Sequence, residues 1–150
     1  MRYDERLAVP LHWWVLSGLF LASLLVAFVV STPLWVALTG TGVLVALVVA
    51  VLVGYGAARV TVEGGVFRAG RARIGLEHVG VAVALDAEHS RRVAGVDADA
   101  RAYLLLRPYL RRAVQVPITD PADPTPYWLV STRAPERLIA ALQQEESSSG

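Results

Sequence analysis

LAVPLHWWVLSGLFLASLLVAFVVSTPLWVALTGTGVLVALVVAVLVGYGAA, residues 7–58, decides the architecture. Between Arg6 and Arg59 there is no Asp, Glu, Lys or Arg, and only His12 and Tyr55 among titratable side chains. About 20 apolar residues suffice to cross a bilayer as a helix. A run more than twice that long, broken near its middle by Ser31-Thr32-Pro33, reads as two crossings, about 13–30 and 34–53. The connection between them holds no domain, so the crossings are antiparallel neighbours.

The flanks fix how this hairpin sits. Pro10 suits the first turn of a helix, and Trp13 and Trp14 follow at the level where amphipathic rings meet lipid headgroups, with Trp35 at the far interface and Tyr55 at the return. The far turn carries no arginine, whereas Arg2, Arg6, Arg59, Arg68, Arg71 and Arg73 flank the near side. The positive-inside rule then predicts a multi-pass protein of the cell (inner) membrane with both termini cytoplasmic. Leu11 to Val30 is too long for a signal-peptide core and lacks a small-x-small cleavage site, so removal of the segment is not expected.

Within the second crossing, Gly42, Ala46, Ala50 and Gly54 recur every four residues and define a predicted helix-packing face, which closes the hairpin or pairs two copies as a homodimer. Gly18 and Ala22 offer the same spacing in the first. A composition rich in small residues produces such stripes by accident too. No charge lies within the run to mark an ion path, which argues against a transporter or channel.

Of the 150 residues, those after the hairpin suffice for one small domain, expected over 59–144, with a disordered tail at 145–150. The formal charge of +1 gives no footprint for nucleic acid. All 14 basic residues are arginine, the mark of a GC-rich genome, and the absence of cysteine removes disulfides and thiolate chemistry.

From Arg59 the pattern alternates. Val60 and Val62 alternate with polar neighbours, Gly64-Gly65 supplies a two-residue turn, and Val66 to Ala69 resumes an extended run. Further strands are expected at Ala72 to Leu76, Val81 to Leu85, Ala102 to Arg107, Ala113 to Ile118 and Tyr127 to Thr132. Asp86 to Ala100 reads as a long loop or frayed helical turn. Pro135 opens a helix in which Leu138, Ile139 and Leu142 share a face. Six or seven strands and one closing helix, with no helix between strands, predict an α+β membrane protein whose soluble part is an antiparallel β-barrel or sandwich. A fragment starting near Arg59 is expected to fold alone.

That strand order is similar to the one in pleckstrin-homology-like barrels. The motifs Tyr3-x-Glu5, Pro10 and Trp13-Trp14, Gly95 to Asp99, Arg107-Pro108, Asp120 to Trp128 and Ser131-Thr132-Arg133 resemble an uncharacterised family of actinobacterial two-helix membrane proteins, over nearly the whole chain. The resemblance implies little about activity, since that family is named for its unknown function.

Candidate sites are few. His12, His78 and His89 stand apart, with no ligand spacing; Asp86, Glu88, Asp97 and Asp99 near His89 form either an oxygen-rich cation site or a solvated acidic loop. No nucleophile-elbow or phosphate-cradling glycine pattern exists, so neither enzyme nor cofactor is expected. Arg68, Arg71 and Arg73 cluster around Gly70 as a basic tip, either facing an anionic headgroup or simply solvated, and Arg111-Arg112 allows the same two readings. The loop at 119–126 holds Pro121, Pro124 and Pro126, which should display Asp120 and Asp123 rigidly and free of hydrogen bonds as a binding loop with Tyr127 and Trp128; otherwise the loop covers a barrel edge and Trp128 fills the core. The leading expectation is a non-enzymatic, membrane-tethered module binding a protein or lipid headgroup at the cytoplasmic face. The alternative is an accessory subunit or an enzyme whose active site a partner completes.

Overall fold

The apolar run forms two helices, α1 (Leu11–Ser31) and α2 (Leu34–Gly56), each a few residues longer than the spacing predicts. At 1.5 Å per residue they span roughly 30–35 Å, matching the hydrocarbon thickness of a bilayer. In the computed structural model, which describes residues 2–149, α1 has no buried residue, so its apolar surface is not that of a soluble core helix. Two hydroxyls in this region bond back to the preceding turn, Thr32 Oγ1 to the Phe28 carbonyl and Thr39 Oγ1 to the Trp35 carbonyl, both at 2.8 Å. Such bonds are the usual way to satisfy a polar group where water is absent.

The chain divides into two compact units, one of them Ala8–Ala57, the other joining the residues up to Leu7 with those from Ala58 onward. This corrects the expected boundary after residue 58. The lead before the hairpin is a strand, β1 (Tyr3–Arg6), paired antiparallel with β2 (Arg59–Glu63), Tyr3 opposite Val62 and Arg6 opposite Arg59. β3 (Val66–Ala69) and β4 (Ala72–Gly75) complete a sheet of order β1-β2-β3-β4. Gly64 and Gly65 turn between β2 and β3 with φ of 60° and 74°, a region open to glycine at little cost.

The second sheet comprises β5 (Val83–Leu85), β6 (Tyr103–Leu105), β7 (Ala113–Pro117) and β8 (Tyr127–Ser131), in the order β5-β7-β8-β6. β6 runs parallel to β8, where an all-antiparallel arrangement was expected. The two sheets do not close into a barrel; they remain separate sheets sharing one core. Leu7, Val60, Val62 and Phe67 of the first sheet meet Val114, Val116, Trp128 and Val130 of the second there. Leu138, Ala141 and Leu142 of α4 (Pro135–Ser149) cap that core.

Two more expectations change. Residues 86–100 contain α3 (Ala87–Ala94), because Asp86 accepts from the backbone amides of Glu88 and His89 and so caps the helix. The tail expected to be disordered continues α4 as far as Ser149, with the Ser147 hydroxyl donating to the Gln143 carbonyl. Gly150 lies outside the described residues.

Candidate interaction surfaces

The basic tip is larger than its sequence suggests. Arg68 and Arg73 lie directly opposite one another in the β3–β4 pair, with Arg71 in the turn between them. Gly70 donates its N–H to the Arg59 carbonyl at 2.9 Å, which brings that turn beside the start of β2. β1 then adds Arg6 opposite Arg59. All five side chains are exposed on the outer side of the first sheet, the inner side being taken by Val60, Phe67 and Ile74. Among the described residues no carboxylate lies within ion-pair distance of Arg59, Arg68, Arg71 or Arg73. Sequence reasoning missed Arg6 and Arg59 because it missed β1.

At the opposite side of β1, the motif pieces at the two ends of the chain meet. Glu5 Oε2 accepts from the Tyr3 hydroxyl at 2.7 Å and from Thr132 Oγ1, while Oε1 accepts from the Arg133 N–H at 2.9 Å. Arg133 also donates to the Arg6 carbonyl at 3.1 Å, and Ala134 N–H donates to Thr132 Oγ1 at the entry to α4. Tyr109 closes the set by donating to the Leu7 carbonyl at 2.7 Å. Burial pushes the Tyr3 phenol well above its ordinary range, reinforced by the Glu5 carboxylate. Tyr3-x-Glu5 and Ser131-Thr132-Arg133 are thus one structural stitch.

The proline-rich loop takes its place in the fold differently from expectation. Asp120 and Asp123 are not free of hydrogen bonds: each accepts through Oδ1 from the backbone amide two residues on, Ala122 at 2.8 Å and Thr125 at 2.9 Å. These are turn-forming contacts of the kind aspartate makes locally. The bond with Thr125 holds the Asp123 carboxyl below the usual range. Trp128 is core, with ring centroids 5.5 Å from Phe67 and 5.3 Å from Tyr103. Tyr127 pairs with Pro117, and its hydroxyl accepts from the Asp99 amide at 3.1 Å. The four residues named as a binding loop are therefore divided between two turns, a strand edge and the core.

The acidic stretch around His89 is divided in the same way. Asp86 caps α3 and contacts His89 Nδ1 at 3.0 Å, Asp97 pairs with Arg92, and Asp99 pairs with Arg101. The His89 amide holds Asp86 below the ordinary carboxylate range, and the Arg101 guanidinium does the same for Asp99. Among the described residues no three such side chains converge as a metal set.

In the hairpin, Gly42, Ala46, Ala50 and Gly54 all face outward; nothing lies within 4 Å of where a Cβ would stand on Gly42 or Gly54. The sheltered side of α2 is instead Ala37, Thr41 and Leu52, with Leu44 and Val48 half-buried between them. Closing the hairpin is therefore not the task of the small-residue face.

Taken together, a pair of long apolar helices inserted in the chain between the first two strands of a two-sheet domain defines a two-helix α+β protein. The chain belongs to the family described as "Protein of unknown function (DUF3093)", whose model matches residues 2–142. No curated protein and no solved structure gives a match.

Proposed function

We propose that this is a membrane-tethered, non-enzymatic module, crossing the cell membrane twice with both termini cytoplasmic and laying the arginine face of its first sheet on anionic lipid headgroups. The observation that carries this reading is the gathering of Arg6, Arg59, Arg68, Arg71 and Arg73 at the end of the sheet where the chain leaves for the apolar helices. Arg6 precedes α1, and Arg59 follows α2, by so few residues that extended chain keeps both within roughly 10–20 Å of the helix ends. Each arginine near an anionic leaflet gains about 1 kcal/mol, an attraction that falls off within a Debye length. Pairing of β1 with β2 across the hairpin supports a common side for the two flanks. The strand order and closing helix support a pleckstrin-homology-like ancestry, from which the open sheets and the parallel β6–β8 pair depart. Exclusive use of arginine fits the GC-rich, actinobacterial origin that the motifs imply.

The chain has no cysteine, so Arg71→Cys gives a unique labelling position at the turn. The labelled full chain is placed in nanodiscs of phosphatidylcholine alone or with phosphatidylglycerol, each with a headgroup-attached quencher. Quenching should be stronger in the anionic discs, and the excess should vanish at high salt or in an Arg59→Gln, Arg68→Gln, Arg73→Gln background. Equal quenching in both lipids sinks the proposal.

A further inference from the structure

We propose that the open edge of β5 takes up an extended peptide from a partner protein, adding it as a strand to the second sheet, and that this peptide carries apolar side chains together with a basic residue. The proposal goes beyond the lipid-facing reading and does not rest on it, because it concerns the other sheet.

β5 is an outer strand of its sheet. Its lead-in is tethered to β7 by the Val79–Ile118 bridge and by Gly80 N–H donating to the Pro117 carbonyl at 2.8 Å, and regular pairing resumes only at Val83. Between them, Val81 and Ala82 make no backbone hydrogen bond among the described residues. Residues 79–85 contain no charge and no proline, two of the devices that blunt a sheet edge against added strands. The outer strands of the first sheet do carry them, Asp4 and Arg6 in β1 and Arg73 in β4. Val81 is 80% exposed and Val83 50%.

Beside this edge runs a cleft of about 180 Å³, closed on its far side by α4. That is several times the roughly 30 Å³ share of one water, hence room for an apolar side chain. Leu76, Val81, Ile139 and Leu142 line it, and Gln143 and Glu146 stand at the α4 end. Among the described residues no arginine lines the cleft, and Glu146 is its one carboxylate. Free backbone groups along an edge are matched by another extended backbone, and the neighbouring pocket supplies side-chain selectivity. The Glu146 carboxylate selects for a basic residue and against an anionic headgroup. A second copy of the same edge fits less well, since its 79–85 segment brings nothing basic to face Glu146.

The test uses the full chain in phosphatidylcholine nanodiscs, without anionic lipid, as bait for a phage-displayed library of random dodecapeptides. Enriched sequences should alternate apolar residues and carry Lys or Arg. A synthetic copy should lose about tenfold or more in affinity when alternate amides are N-methylated, since those backbone donors are then lost. The same loss is expected against Val81→Arg and against Glu146→Arg, two exposed positions whose change should leave the melting temperature unaltered. Failure to enrich any sequence, or equal binding to Val81→Arg, overturns the proposal. So does self-association of the chain that Val81→Arg abolishes, which assigns the edge to a second copy.

Discussion

In the first sheet the spatial order β1-β2-β3-β4 follows the chain, once the apolar helices between β1 and β2 are skipped, and every pair is antiparallel. In the second the order is β5-β7-β8-β6, and β6 must travel past α3 before lying parallel to β8. The first sheet is thus mostly local hairpins plus one non-local strand, whereas the second is set largely by what the core accepts. Non-local pairing costs loop-closure entropy that only burial can offset. The difference teaches where each sheet is vulnerable: the first at β1, the second at its core residues.

The largest effect should come from removing β1. Leu7, just past that strand, is fully buried, and Leu→Ala at such a site costs about 2–5 kcal/mol. Loss of the whole strand and of the Glu5 contacts approaches the entire stability of a small domain, about 5–15 kcal/mol. A fragment starting at Arg59 should therefore show no cooperative thermal transition by circular dichroism. A fragment in which residues 2–7 are rejoined to Ala58 through a short glycine-serine linker should melt cooperatively. Equal melting of the two would break the comparison, because the first sheet would then not depend on its non-local strand.

How far the sequence carried the fold follows the same division. The apolar run and the Gly64-Gly65 hairpin were legible because composition and turn chemistry act within a few residues. β1 was not, although Tyr3, Glu5 and Leu7 do alternate with Asp4 and Arg6. Its inward position 5 holds a carboxylate, whose compensation by Thr132 and Arg133 lies at the other end of the chain. The motif residues were visible as motifs, yet nothing local said that they meet. The parallel β6–β8 pair was equally hidden, since strand direction is a property of tertiary assembly. For the surfaces, Arg68, Arg71 and Arg73 were legible as a cluster, but Arg6 and Arg59 joined them only through register. The regular spacing of Gly42, Ala46, Ala50 and Gly54 was real and still named the outward side of α2.

The second sheet is tested through Trp128, whose ring contacts Phe67 across the core. Trp128→Ala should destabilise by about 3–5 kcal/mol, read as a lowered denaturant midpoint. Trp128→Phe should recover much of that loss by filling most of the space. If Trp128→Ala instead leaves the midpoint near wild type, the two sheets do not share the core described.

A smaller effect, of about 0.5–1.5 kcal/mol, is expected for Tyr3→Phe, which deletes one donor to Glu5 while keeping the ring. Its pH dependence reports on the stitch between β1 and the residues that follow β8, where the Tyr3 hydroxyl also lies 3.1 Å from Thr132 Oγ1. The Tyr3 phenol ionises at higher pH folded than unfolded, so its contribution is complete below the unfolded value of about 10. Above that pH the unfolded chain releases the proton while the folded chain keeps it, and stability declines as pH rises toward the folded value. Wild type should therefore lose stability on alkaline titration more steeply than Tyr3→Phe. Parallel curves would place the phenol in solvent.

The smallest effect belongs to the loop that joins β7 to β8. Asp120 and Asp123 each accept one backbone amide through Oδ1, and an asparagine side-chain carbonyl accepts the same bond. Asp120→Asn with Asp123→Asn should thus melt like wild type at neutral pH, whereas the double alanine variant should melt lower because both turns lose their acceptors. Acid separates the first pair. The Asp123 carboxyl titrates below its unfolded value of about 3.9, so its contribution is present above that pH and disappears as pH falls through the folded value. The asparagine variant has no such titration and should resist acid slightly better. Co-purification in mild detergent adds the functional arm: a partner lost from the asparagine variant at unchanged melting would assign the carboxylate charges to binding, and a retained partner leaves the loop its turn-forming part in the second sheet.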